Sequence, residues 1–502
     1  MAQKNNENTS RCVTGVPGLD SILCGGLPRN RIYLIQGDPG VGKTTLALQF
    51  LLEGIRRGET SLYITLSETN EELKEVADSH GWSLDKLNAF ELASLDAQLR
   101  AETENTFFHP SEVELNKTTK VLLDEIERVK PARIAFDSLS ELRLLSETPL
   151  RFRKQMLSLK QFFAGRKCTV LFLDDRTADL HDLQVESIAH GVISLNKSSP
   201  DYGVSRRTIH VEKIRGVKFR EGFHDFIIQQ GGVVTFPRLI AAEHHREFRR
   251  EPFRSEVEGL DTLLGGGLDR GTSTIFMGPP GTGKSTIAGR YAFAAGSAGE
   301  KVQFYIFDET LGTFLARANA LGMNFRPLIE AGHVRVQQID PAEISPGELA
   351  AAIHKGVEDD SVRMVIIDSI NGYLNAMPEA RYLNLQLHEL LAYLNQQGVL
   401  TIMVLAQQGM IGSMQSAVDL TYLADTVLLH RYFEAYGEVK QAISVIKKRS
   451  GYHEKTIREF KVDRTGINVG PPLREFQGVL TGVPRYRGTQ EEMMPQPSKV
   501  SA

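Results

Sequence analysis

The sequence predicts an α/β protein of two tandem domains, each a largely parallel sheet flanked by helices. Three observations carry that reading. The chain repeats itself at long range, apolar strand-like runs alternate with helical stretches in both copies, and each copy sets a glycine loop between a strand and a helix.

The repeat opens both copies. "VTGVPGLDSILCGGLPRNRIYLIQGDPGVGKTT" begins at Val13, and "VEGLDTLLGGGLDRGTSTIFMGPPGTGKST" begins at Val257. Each runs through Gly-Leu-Asp, a Gly-Gly-Leu turn, a short apolar strand and a glycine loop. The interval from Lys43 to Lys284 equals that from Glu68 to Glu309, and Asp137 and Asp368 take the matching place further on. Self-similarity on this scale is a duplicated domain, not a short-period solenoid. The first copy supplies the strands "RIYLIQG", "SLYITLS", "RIAFD" and "TVLFLDD"; the second supplies "STIFMG", "VQFYIFD", "MVIID" and "LTIMVLA". Near-continuous apolar strands separated by helices are what a parallel sheet covered on both faces requires. The copies close with antiparallel-looking "RRTIHVEKI" and "KQAISVIKK". The expected boundaries are 1–240 and 257–482, with the charge-dense stretch 241–256 as a linker and 483–502 as a polar, disordered tail.

At 502 residues the chain is too long for one ordinary core. Its 41% hydrophobic and 24% charged residues are normal for a globular protein. A formal net charge of −4 argues against a broad basic surface that coats nucleic acid. "MAQKNNENTS" lacks the apolar core of a signal peptide, and no apolar run reaches spanning length, so no membrane association is expected. Cys12, Cys24 and Cys168 have neither metal-ligand spacing nor a disulfide framework; Cys12 and Cys24 read as small, semi-buried residues, and a reducing cytoplasm is the expected location.

Two phosphate loops stand out. Gly37, Asp38, Pro39, Gly40, Val41, Gly42, Lys43 and Thr44 form one, continued by Thr45; Gly278, Pro279, Pro280, Gly281, Thr282, Gly283, Lys284 and Ser285 form the other, continued by Thr286. Glycines let the backbone fold into a nest of N–H donors, and the helix that follows adds its positive end. The lysines are expected to reach the terminal phosphates of ATP, and Thr44 and Ser285 to offer a hydroxyl to Mg²⁺. A glycine turn that merely starts a helix is the bland alternative, and two matches in register argue against it. Asp137 and Asp368 end apolar strands, where a carboxylate meets the metal or its waters; a plain helix cap is the competing role. Hydrolysis also needs a group that orients water or takes a proton, and the second strands end in candidates: Glu68 in the first copy, Asp308 and Glu309 in the second.

At this point the chain resembles the KaiC family of RecA-like ATPases over nearly its whole length. The resemblance rests on the paired loops, the preceding "GVPGLD…GGLP" and "EGLDTLLGGGL" segments, and "KKRSGYHEKTIREF" at Lys447–Phe460. It implies two RecA-like P-loop domains, a ring that is typically a homohexamer, and ATP held between neighbouring subunits. It also implies a slow ATPase in the first domain and a serine/threonine autokinase and autophosphatase in the second, used for timing or signalling. The family's Lys-x-Arg pairs, which reach a neighbour's γ-phosphate, fall on Lys213 and Arg215 and on Lys447 and Arg449. A solvated basic strand end is the plain reading of the same residues. The family's adjacent phosphoacceptors fall on Thr421 and Tyr422, and a nearby family threonine on Ser416. Tyr422 departs from the pattern, because its hydroxyl stands farther from the backbone than in-line transfer tolerates. Where the family carries two glutamates, this chain has Ser67–Glu68 and Asp308–Glu309, which puts the rates of both sites in question. A KaiB-like protein is the implied partner, while the short tail argues against a KaiA-like activator.

Two other readings fit the same residues. A recombinase or ring-helicase motor would need basic pore loops, for which Arg143–Gln155 and Asn371–Asn384 occupy suitable positions, and nucleic acid is not the expected partner. A nucleotide-gated scaffold would bind ATP and release almost no phosphate.

Overall fold

In the computed structural model the apolar runs become two nine-stranded sheets with the same strand order. The structure describes residues 11–66, 68–91, 110–146, 148–175, 184–200, 202–375, 380–407, 420–463, 466–480 and 485–486. One compact unit ends at Arg238, and a second begins at Leu239.

The first unit holds β1 (Ile32–Gly37), β2 (Ser61–Thr65), β3 (Asn88–Glu91), β4 (Arg133–Asp137), β5 (Thr169–Asp175), β6 (Gly191–Ser198), β7 (Arg206–Ile214), β8 (Phe223–Gln229) and β9 (Gly232–Phe236). They pair in the order β3-β2-β4-β5-β1-β6-β7-β8-β9. The strands from β3 to β6 in that order are parallel, and the last three form an antiparallel meander. The second unit repeats this with β10 (Ser273–Gly278), β11 (Val302–Ile306), β12 (Val334–Gln338), β13 (Met364–Asp368), β14 (Leu400–Ala406), β15 (Thr426–Ala435), β16 (Glu438–Lys448), β17 (Ile457–Asp463) and β18 (Gly466–Pro472). Its order is β12-β11-β13-β14-β10-β15-β16-β17-β18. A register shift falls at Val192/Ile193 in one sheet and at Val427/Leu428 in the other, the same point of the repeat.

Continuous apolar strands work because each sheet is buried on both faces. Along β1, Tyr33 and Ile35 enter one core while Ile32 and Leu34 enter the other. Along β11, Phe304 and Ile306 enter one core and Tyr305 the opposite one. Helices supply the covers: α1 (Lys43–Arg56), α2 (Asn70–Ser79), α3 (Pro110–Val129), α4 (Leu139–Leu145) and α5 (Pro149–Phe163) in the first unit. The second unit has α6 (Lys284–Ser297), α7 (Leu311–Ala320), α8 (Pro346–Asp359), α9 (Ile370–Asn375) and α10 (Ala380–Gln396). Local chemistry starts several of them. Thr69 and Glu72 form a capping box on α2, and Ser345 caps α8 ahead of Pro346.

The polar stretch 241–256, read as a linker, is mostly exposed and touches the second unit at a few points. Ala241 joins that unit's core, its N–H donates to Glu389 at 3.2 Å, and the Arg246 N–H donates to the Gln396 carbonyl at 3.2 Å. Cys12 is buried as a small core residue, while Cys24, expected to be semi-buried, is exposed in a turn at φ 52°. Among the described residues no helix is long and apolar enough to cross a membrane.

One packing feature has a pH signature. His224 on β8 is buried; its Nδ1 accepts the Arg238 N–H at 2.8 Å, and burial pushes its pKa down to about 4. The unfolded chain therefore takes the proton first. The stability conferred by neutral His224 is full above about pH 6.5 and is lost as pH falls toward 4, which amounts to about 2 kcal/mol by pH 5. Unfolding free energies from urea titrations followed through Trp82, the single tryptophan and a first-unit residue, are expected to change between pH 7 and 5 less favourably in the wild type than in His224→Gln, by about that amount, since the other titrating groups of the unit cancel in the comparison.

Candidate active sites

The first site lies where parallel strands of the first sheet end together, Gly37 beside Asp175 and Thr65 beside Asp137. Gly42, at φ 114°, caps α1, and a Cβ there would stand 2.6 Å from Ile228 Cδ1. Lys43, buried, donates to the Gly37 carbonyl at 2.8 Å and the Asp38 carbonyl at 3.1 Å, and ion-pairs with Asp175 at 2.7 Å. The Thr44 hydroxyl donates to Asp137 Oδ2 at 2.9 Å, and Tyr63 donates to the same oxygen at 2.5 Å. Burial raises the Asp137 carboxyl, against the hydrogen bonds from Tyr63 and Thr44 and the charge of Lys43. Glu68 is pushed up to about 7, first by burial and then by the charges of Asp137, Glu72 and Asp175; its Oε2 is buried with no hydrogen-bond partner among the described residues. Ser67 lies outside the described residues.

The second site repeats the frame with different side chains. Gly283, at φ 84°, caps α6, and a Cβ there would stand 2.7 Å from Phe460 Cε1. Lys284 donates to the Pro279 carbonyl at 2.6 Å, and burial lowers its pKa to about 8 despite the charge of Asp368. Asp368 is raised to about 6, first by burial; the Ser285 hydroxyl and Arg317 oppose this, while Glu309 and Asp308 add to it. Its Oδ2 is buried with no hydrogen-bond partner among the described residues. The reason is a substitution within the repeat: Phe304 occupies the β11 position that Tyr63 holds on β2. Glu309 is ion-paired with Arg317 of α7, and Asp308 accepts from the Ser369 hydroxyl. Asp175 has no acidic counterpart here, since Ala406 stands opposite Gly278 as Asp175 stands opposite Gly37.

The loops suit a phosphate chain: positive-φ glycines at 40, 42, 281 and 283 shape the backbone, and side chains at 42 and 283 would fill it. The oxygen donors Thr44 with Asp137, and Ser285 with Asp368, suit a hard cation such as Mg²⁺. The orphaned Asp368 Oδ2 is an atom such a cation would satisfy.

Lys213, Arg215, Lys447 and Arg449 perform one repeated task in this chain. Lys447 Nζ donates to the Thr421 carbonyl at 2.8 Å, and Arg449 to the Tyr422 carbonyl at 3.1 Å and to Asp425 at 3.5 Å. In the first unit Lys213 donates to the Glu186 carbonyl, and Arg215 to the Ser187 carbonyl at 2.8 Å. Glu186 and Ser187 thus hold the places of Thr421 and Tyr422. Thr421 is half-buried and Tyr422 is 57% exposed. Ser416 lies outside the described residues. Of the pore-loop segments weighed for a DNA motor, Arg143 is committed inward: it ion-pairs with Asp174 at 2.7 Å and covers the Phe152 ring at 4.9 Å. Residues 376–379 of the other segment lie outside the described ones.

A family model for the KaiC ATPase matches residues 12–240 and again 253–474, one match per unit. The chain belongs to the KaiC family of ATPases. "Circadian clock protein KaiC3" of Synechocystis sp. is 26% identical over 498 residues, covering 98% of each chain. "Circadian clock oscillator protein KaiC" of Thermosynechococcus vestitus is 24% identical over 496 residues, covering 98% of this chain and 95% of that one. The protein of the same description from Synechococcus elongatus is 24% identical over 495 residues, covering 96% and 94%. KaiC membership makes ATP the nucleotide and its hydrolysis the reaction class of the paired sites.

Sequence reasoning missed Tyr63, Asp175, Arg317 and Ser369, each of which contacts a residue it had named. For Tyr63 a signal existed, because the constant interval between the copies sets it against Phe304.

Proposed function

We propose that this chain is a KaiC-type ATPase whose second domain phosphorylates its own Thr421, working as a homohexameric ring with nucleotide at the subunit boundaries. The observation that carries the reading is the clasp of Lys447 and Arg449 on the backbone of the Thr421–Tyr422 turn. It puts the candidate acceptor beside two cations that stabilise charge on a transferring phosphoryl group. Lys284 and the backbone of its loop hold the phosphates. Ser285 and Asp368 would hold Mg²⁺, which supplies charge neutralisation between the phosphates. The Thr421 hydroxyl attacks the γ-phosphorus, the bond to the ADP oxygen breaks, and the hydroxyl proton passes to Asp308 or Glu309 of the subunit that holds the nucleotide. Thr44 and Asp137 serve the first site in the same way, with Glu68 orienting water for hydrolysis. A timing or signalling role, with a KaiB-like partner, follows by analogy with the relatives' names.

A nucleotide-gated scaffold is the second reading, favoured by the Glu309–Arg317 ion pair, which occupies one of the two carboxylates offered to the kinase step. Phosphate release and phosphate incorporation, measured together on purified protein with Mg·ATP, separate the readings. The autokinase gives slow release and phosphate on Thr421, a scaffold binds ATP and gives neither, and a DNA motor releases phosphate only when single strands are added.

The two sites are also expected to differ in affinity. Asp175 neutralises Lys43 and would face the γ-phosphate, whereas Lys284 has no such carboxylate at the matching position. With the second site disabled by Lys284→Ala, Asp175→Asn is expected to bind a fluorescent ATP analogue roughly ten-fold more tightly than Asp175 protein, about 1.4 kcal/mol. Equal affinities would show that Asp175 leaves Lys43 at no cost when nucleotide binds.

A further inference from the structure

The geometry points to a transition-metal site on the second unit, in which His244, His354 and Glu358 take a zinc-class divalent ion and staple the 241–256 segment to α8. The ligand atoms of the three residues all lie within 4.8 Å of one another. His244 Nδ1 stands 3.8 Å from Glu358 Oε1, and His354 Nε2 stands 3.9 Å from the same oxygen. Ligands around tetrahedral zinc, with bonds of about 2.0–2.2 Å, are separated by roughly 3.3 Å, so the two imidazole–carboxylate pairs have to close by about half an ångström and the widest separation by up to about 1.5 Å, a rotamer adjustment of half-buried and exposed side chains.

The donors come from two elements. His354 and Glu358 stand four residues apart on α8 and therefore share a face. His244 lies between two ties to α10, the Ala241 N–H on Glu389 and the Arg246 N–H on the Gln396 carbonyl. Further along the segment, Phe248 packs against Gly271 and Gly398. The segment therefore presents His244 to α8 before any ion binds, and that lowers the ordering cost of binding.

A second shell is in place. Buried Tyr393 donates its hydroxyl to Glu358 Oε1 at 2.9 Å, the oxygen that faces both imidazoles, and a carboxylate oxygen with one lone pair so engaged keeps the other for a cation. Its ring lies 5.1 Å from both imidazoles, fixing their planes. Outer contacts of this kind orient ligands and sharpen affinity. Two imidazoles and one carboxylate select zinc, nickel or copper over Mg²⁺ or Ca²⁺, in contrast to the oxygen-only donors of the phosphate-loop sites. The fourth position is left to water.

The test uses full-length, tag-free protein, stripped with a chelator and free of nucleotide, so that the phosphate-loop sites do not contribute. Zinc is titrated against a competing chromophoric chelator, and trypsin cleavage at Arg246, Arg249 and Arg250 is followed in parallel. The expected result is one zinc per chain, not displaced by excess Mg²⁺, with slower cleavage in the 246–250 stretch when zinc is bound. His244→Gln and His354→Gln are expected to weaken zinc by at least roughly ten-fold and to lose the protection. Glu358→Gln keeps an acceptor for Tyr393 and serves as the variant least disturbing to the fold; it too is expected to weaken zinc. Cobalt in place of zinc is expected to give visible d–d bands in the wild type and none in the variants. Zinc affinity unchanged in all three variants, saturation below one equivalent, or displacement by Mg²⁺ would each overturn the site.

Discussion

Wild-type protein incubated with Mg·ATP is expected to carry phosphate on Thr421, and Lys284→Ala protein to carry none. Lys284 is the buried cation of the second loop, and alanine at the first position of α6 keeps the helix start while removing the charge. Loss of one preorganised cation from a phosphoryl-transfer site costs on the order of 100-fold or more in rate, enough to erase a slow modification from a phosphosite map. Lys43→Ala, which touches only the first loop, is the matched control and is expected to leave Thr421 phosphorylated. Arg449→Ala is expected to lose a comparable factor by two routes. It removes a cation, and it releases the Tyr422 carbonyl that fixes the acceptor turn. Thr421→Val distinguishes the two hydroxyls. Phosphate that persists in that variant and maps to Tyr422 would place the acceptor on the exposed phenol. Bound ATP with no phosphate in the wild type would make the turn a packing element and favour the scaffold.

How much of this was legible follows from where each feature is encoded. Strands, helices and both phosphate loops are written in consecutive residues, so the alternation of apolar runs with glycine turns places them directly. The contacts that make the two sites unlike are written in sheet register. Tyr63 meets Asp137 because β2 lies beside β4, and Asp175 meets Lys43 because β5 lies beside β1; neither adjacency follows from local pattern. The contacts of the 241–256 stretch were hidden for a related reason. Its charged composition describes the solvent side of the segment, while Ala241, His244 and Phe248 make its contacts with the second unit. Comparing the copies position by position recovers part of what local reading loses, since Tyr63 against Phe304 and Asp175 against Ala406 are visible once the repeat is in register.

The same comparison carries the second large effect. Glu59→Gln is expected to destabilise the first unit by about 3–5 kcal/mol, because it strands a buried guanidinium. Arg133 is fully buried on β4; it pairs with Glu59 at 2.5 Å, donates to the Val13 and Phe50 carbonyls at 2.8 and 2.7 Å, and covers the Phe50 ring at 4.7 Å. Burial alone would raise the Glu59 carboxyl, yet the hydrogen bonds from Arg133 and Arg29 bring it below its ordinary value. In the second unit Met364 stands at the register position of Arg133, and it is equally buried. The repeat also sets Ala295 against Gly54, whose added Cβ would lie 2.6 Å from Arg133 Cδ. One copy therefore uses Gly with Arg, and the other uses Ala with Met, to fill the same space. Gly54→Ala alone is expected to cost about 1–3 kcal/mol by overpacking, and Arg133→Met to recover much of that loss in the double variant, a coupling that independent sites do not show. Trp82 fluorescence in urea reads the first unit for all of these variants. A Glu59→Gln midpoint equal to wild type would mean that the guanidinium is held by its two carbonyls and not by the ion pair, and strict additivity of the Gly54 and Arg133 changes would mean that the two positions do not share one space.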